Sequence, residues 1–205
     1  INLKKSSERL PGRKNKGKVY YYFPLSFREF VYLVDKNAEQ IQAQPLAFLS
    51  HLQALLQEYV VTSGFPYIIN KYYQDNSIDD LSYDIYKDWI EGEITKAKRS
   101  VSFAHQIFSH LLESITSQVN WESLAKSTTI RSHTTIAEYV DLFDSLFIAK
   151  VVPQLGSNLK ISFVKNKKIY FYDHFLFSVV EKSILKILRY HDYFKEKIKN
   201  DPVYL

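Results

Sequence analysis

The chain has 205 residues, 46% apolar and 24% charged, enough for one large core-forming domain or two small ones. No apolar run approaches the roughly 18 residues that cross a bilayer, and the lack of cysteine excludes disulfides, thiolate metal sites and a cysteine nucleophile. The formal charge of +5 hides an asymmetry, because residues 1–18 hold seven bases against Glu8 while the rest of the chain sums to −1.

Residues 71–93 carry seven acids and two lysines, and residues 150–168 carry five lysines and no acid. A cationic arm and a cationic hairpin thus flank a neutral to acidic body, so contact with a polyanion would be local. The absence of cysteine and of a signal peptide fits a cytoplasmic protein. Methionine is also absent and the chain opens on Ile1-Asn2-Leu3, as a fragment or processed chain would.

Taken in order, residues 1–18 lack apolar periodicity and read as an arm, and Val19–Phe23 reads as a short strand ended by Pro24. Ser26 and Glu29 form a capping-box pattern opening a helix through Phe27, Phe30, Val31 and Val34. Residues 46–62 predict a second helix with Leu46, Leu49, Leu52, Leu55, Leu56, Tyr59 and Val60 on its apolar side. Gly64 in a left-handed cap and Pro66 would stop it, residues 70–80 read as a mobile polar loop, and residues 81–97 predict a helix with Ile85, Tyr86 and Trp89 inward.

From Val101 the pattern tightens. A helix over 101–117 is followed by a short one capped by Asn120, a polar turn, and a third capped by Ser132 with Ile136, Tyr139, Val140, Leu142, Phe143 and Leu146 inward. Two β-like runs follow, 147–152 and 168–172. Three helices and a basic hairpin follow the winged helix-turn-helix plan, and the fold class is mainly α with small β. The expected organisation is a basic arm and strand at 1–23, a helical domain at 24–98, a winged helix at 99–180 and a C-terminal helix at 181–205.

The chemistry of a self-contained enzyme is missing. Five glycines form neither a phosphate loop nor a dinucleotide fingerprint, the six histidines show no zinc-helix spacing, and no nucleophile-elbow motif surrounds Ser63. No catalytic and no metal residue is assigned. The third helix of a helix-turn-helix meets base edges with its N-terminal residues, here Arg131, Ser132, His133, Thr134 and Thr135. The hairpin would offer Lys160, Lys165, Lys167 and Lys168 to phosphates. Glu138, Asp141 and Asp144 on the same helix weigh against DNA, and winged helices also dock proteins.

Two segments, Ser7-Glu8-Arg9-Leu10-Pro11-Gly12-Arg13 and Tyr22-Phe23-Pro24-Leu25-Ser26-Phe27-Arg28-Glu29-Phe30, resemble the close of the ATPase core in prokaryotic and archaeal P-loop ATPases of the AAA+ superfamily. Leu56–Pro66 is similar to that family's element ending in Gly-Gly-Phe-Pro, with Ser63 in place of the first glycine, and Tyr83–Ile90 and Lys168–Asp173 extend the likeness. The resemblance implies a helical lid at 24–98, a winged helix on DNA or a protein partner, and ATP with Mg2+ bound by a core preceding Ile1. It implies nucleotide sensing by Arg9 and Arg13, and core roles for Phe27, Phe30, Leu52, Leu56, Tyr59 and Phe65. A stand-alone winged-helix DNA-binding regulator and a protein-docking module remain the alternatives.

Overall fold

Local signals set the helix starts. In the computed structural model, which describes residues 23–115, 117–155 and 161–184, α1 (Phe27–Val34) opens with the expected capping box. The Glu29 carboxylate accepts the Ser26 N–H at 2.7 Å, and Ser26 Oγ accepts the Glu29 N–H at 3.4 Å. Short α2 (Ala38–Ala43) and a 3-10 turn (Pro45–Phe48) lead into α3 (Leu49–Thr62). Then come α4 (Pro66–Asp75), α5 (Asp80–Lys96), α6 (Val101–Glu113), α7 (Trp121–Lys126) and α8 (His133–Ser145). Strands β1 (Ala149–Leu155) and β2 (Ile161–Phe171) pair antiparallel, before α9 (His174–Val179) and a π turn at Val180–Ile184. The described chain is therefore mainly α with one small two-stranded sheet.

The described residues divide into two compact units. One, here the helical unit, is built from 24–88 and the segment from Asp173; the other, the hairpin unit, from Phe23 and 89–172. α5 starts in the first and ends in the second.

In the helical unit, Phe30, Val31, Ala38, Ile41, Leu55 and Ile69 form a buried cluster, with Phe27, Phe48, Leu52 and Tyr59 packed against it. Several expectations change here. Of the apolar side assigned to α3 only Leu55 is buried; Leu46 is 85% exposed, and Leu49 and Leu56 are exposed. The chain leaves α3 through Ser63, not Gly64, in the left-handed region at φ 52°. Pro66 is the first residue of α4, where a proline's missing N–H costs nothing. α4 fills most of the expected loop 70–80, and left-handed Asn76 ends it. In α5, Ser82, Tyr83, Ile90, Glu93 and Ile94 are buried, whereas Ile85 is exposed and Trp89 and Tyr86 are partly buried.

In the hairpin unit, α6 buries Ala104, Ile107, Phe108, Leu111 and Leu112. α8 answers with Ile136, Tyr139, Val140 and Phe143, and the Phe108 and Phe143 rings stack at 4.3 Å. Ile148 and Ala149 carry this core into β1. Pro153 of β1 lies opposite Lys167 and has no N–H to give. The backbone of Lys167 turns instead to Val119, between α6 and α7, through two reciprocal 2.8 Å hydrogen bonds.

Among the described residues no helix is long and apolar enough to cross a membrane. The arm, all but Phe23 of the strand expected at 19–23 and all but residues 181–184 of the helix expected at 181–205 lie outside the described residues; Phe23 is not in a strand and 181–184 fall in the π turn.

Candidate nucleic-acid interface

The N-terminus of α8 is presented by the turn before it. Ile130 is buried and anchors that turn, while Thr129 donates from its N–H and hydroxyl to Gln106 Oε1 of α6 at 2.8 and 3.0 Å. Ser132 caps α8, its Oγ accepting the Thr135 N–H at 3.3 Å. Arg131, Ser132, His133 and Thr134 are exposed there and Thr135 is half-buried, so the structure brings this expected group together in one turn. A helix N-terminus with an exposed arginine and hydroxyls suits phosphate contact.

Beyond its first turn the exposed side of α8 is acidic. Glu138 is held by Arg99 at 2.8 Å, and that guanidinium lies 5.7 Å from the centre of the Tyr139 ring. Asp144 accepts from Lys150 Nζ at 3.3 Å and from the Tyr172 hydroxyl at 2.8 Å. The Tyr139 hydroxyl fixes the helix by accepting the Ser100 N–H at 2.7 Å and donating to the Ser100 carbonyl at 3.1 Å.

The hairpin lysines separate by strand alternation. Lys168 is exposed, opposite Val152 in the register. Lys167 is only 6% exposed, with its ammonium 4.7 Å from the centre of the Trp121 ring, and burial holds its pKa below the ordinary lysine value. Its expected place at a phosphate-facing surface is therefore corrected to a core-facing one. The alternation Lys167, Lys168, Ile169 carries that signal, because two neighbours in a strand point to opposite faces. Lys160, Arg9 and Arg13 lie outside the described residues, as does the side chain of Lys165. Sequence reasoning missed Arg99 and Gln106, whose partners lie on a helix and a turn far along the chain.

A second constellation forms in the helical unit. Asp173 caps α9, its Oδ1 accepting the N–H groups of Phe175 at 2.8 Å and Leu176 at 3.4 Å, while its Oδ2 accepts the Gly64 N–H at 3.3 Å. Ser63 Oγ also accepts the Phe175 N–H at 3.0 Å. The Gly64 carbonyl in turn accepts the Leu25 N–H at 2.7 Å. A Cβ on Gly64 would stand 2.2 Å from the Leu25 carbonyl oxygen, so close approach demands glycine here. The Phe65, Tyr86 and Phe175 rings pack edge-on around this junction, at centroid distances of 5.0–6.0 Å. Burial raises the Asp173 pKa above 3.8, partly offset by the N–H groups of Gly64 and Phe175. Tyr86 is pushed up to about 12 by burial and then by the Asp173 charge. Five hydrogen bonds and three packed rings make this a structural clasp.

Histidines pair singly with acids: His105 with Glu91 at 3.0 Å, and His51 with Asp35. Among the described residues no three His, Asp or Glu side chains converge as metal ligands would. No curated protein and no solved structure matches the chain. A family of unknown function does match, over residues 53–186, a span that takes in most of α3, Gly64 and Asp173 of the clasp and the whole three-helix and hairpin array. With well over half of its length matched, the chain belongs to that family, described as a domain of unknown function, DUF8612.

Proposed function

We propose that this chain is the lid and winged-helix portion of an AAA+ P-loop ATPase, whose nucleotide cycle moves the winged helix on DNA or a protein partner. The observation that carries the reading is the clasp: Leu25, Gly64 and Asp173 come from three separate segments of the family likeness, and they bond to one another. Segments that resemble a family's motifs and also meet in space are better support than any of them alone.

The order α6, α7, α8, β1, β2, with Val119 bridged to Lys167 as a rudimentary third strand, supports a winged helix. Arg131 to Thr134 and Lys168 would position phosphates, while Glu138 and Asp141 would discourage deep insertion of α8 into a groove. The 205 residues include no phosphate loop, so the residues present do not fit ATP or Mg2+ by themselves, and no step of hydrolysis is assigned to them.

A second reading, a protein-docking module, is favoured by the exposed Tyr32, Leu33, Leu46, Leu49 and Leu56 of the helical unit.

Titration of the chain with duplex DNA over a range of salt concentrations separates the two. On the DNA reading, Arg131→Ala and Lys168→Ala each reduce the salt slope of log K by about one. Lys167→Ala lowers stability by about 1 kcal/mol through its lost ring contact and leaves the slope unchanged. Unchanged slopes in the first two variants, or no binding at low salt, remove DNA as the partner. ATP turnover by this chain alone would falsify the placement of the nucleotide site outside it.

A further inference from the structure

The chain passes between its two units three times, at Phe23/Pro24, at Asp88/Trp89 within α5, and at Tyr172/Asp173. The first and last passages are pinned at both ends. In the hairpin unit the Phe23 and Tyr172 rings stack at 6.4 Å and 18°, and Phe147 meets both edge-on at 5.2 and 5.6 Å. In the helical unit Leu25, two residues on from Phe23, and Asp173, one on from Tyr172, are tied through the carbonyl and the N–H of Gly64.

The third passage is made of helix, and it contains a glycine with no packing reason to be there. Gly92 lies in the interior of α5, and a Cβ placed on it meets nothing within 4 Å. An alanine would fit and would favour the helix about fivefold. The helical hydrogen bond that residue 92 donates reaches back four positions, to Asp88, the last residue of the helical unit. The weakest helical residue thus owns a bond that spans the boundary.

We propose that α5 is a hinge helix that bends at Gly92, while the Phe23–Tyr172 stack holds within the hairpin unit and the Leu25–Gly64–Asp173 clasp holds within the helical unit. This holds whatever the chain binds, and it goes beyond the reading above by assigning where movement occurs.

The sequence has no cysteine, so Ser50→Cys on α3 and Lys126→Cys on α7, both exposed, give one spin label in each unit. Pulsed electron–electron resonance then reads the distribution of label distances. We expect two populations in the parent chain, with the minor one reduced about fivefold by Gly92→Ala. Adding Thr95→Gly, whose helical bond returns to Glu91 within the hairpin unit, should not restore it. A single narrow distribution in the parent, no change with Gly92→Ala, or recovery with Thr95→Gly would each overturn the hinge.

Discussion

The two units solve the problem of burial differently. The hairpin unit has a dense core, with Ala104, Ile107, Phe108, Leu124, Ile136, Val140, Phe143, Ile148 and Ala149 fully inaccessible, and its exposed large apolar residues are Phe23, Val152 and Tyr170. Among its described residues the helical unit buries Phe30, Ile68, Phe175, Val179 and Val180 just as completely, yet it leaves Tyr32, Leu33, Leu46, Leu49, Leu56, Tyr67, Tyr73, Leu81 and Ile85 exposed. Apart from its core it relies on specific ties, chiefly the Gly64–Asp173 clasp and the Tyr59 hydroxyl donating to the Leu25 carbonyl at 2.7 Å. Both units gain stability from apolar area removed from water; the helical unit adds a few backbone and carboxylate contacts that fix how its segments meet.

The comparison is sharpened most by deleting a ring from the dense core. Phe143→Ala, which removes the stacking partner of Phe108, should cost about 3–5 kcal/mol in urea unfolding. Leu46→Ala should shift stability by no more than about 0.5 kcal/mol. A large loss at Leu46 would break the comparison, because that residue would then be covered in solution.

Next in size is the clasp. Gly64→Ala drives a methyl into the backbone of Leu25, and neither chain segment can retreat while both are bonded, so the loss should reach about 3 kcal/mol. Equal stability of this variant and the parent would show that the clasp is not specifying the helical unit.

The smallest effect is a slope. Burial raises the folded-state pKa of Asp173 above the ordinary 3.8, so the folded protein holds that proton more tightly than the unfolded chain does. This contribution is favourable at low pH and declines as pH rises from 3.8 through the higher folded value. Asp173→Asn should flatten that decline in melts taken across the window, though other acids still titrate. A decline as steep as the parent's would place the shift elsewhere.

Much of the secondary structure was legible in the sequence. The capping box at Ser26 and Glu29 and the caps at Asn120 and Ser132 stand as read, since a cap is a contact between residues three positions apart. The burial on α6 and α8 follows the helical period because those helices pack into one thick core. The period misled over 46–62, where Leu46, in the 3-10 turn, and Leu49 and Leu56 of α3 satisfy it yet remain outside, because the described residues of the helical unit leave them uncovered. Of the candidate interface, the exposed turn from Arg131 to Thr134 was legible and the pairing of Glu138 with Arg99 was not.

Sequence by itself determined the fold class, the capped starts of α1, α7 and α8 and the basic, hydroxyl-bearing entry to α8, because each depends on neighbours within one or two turns. Tertiary structure alone decided that Lys167 covers Trp121 while Lys168 faces solvent. It alone brought Leu25, Gly64 and Asp173 together, the Gly64–Asp173 bond spanning 109 positions. Contacts that distant depend on how the whole chain closes, and no local period or cap encodes that closure.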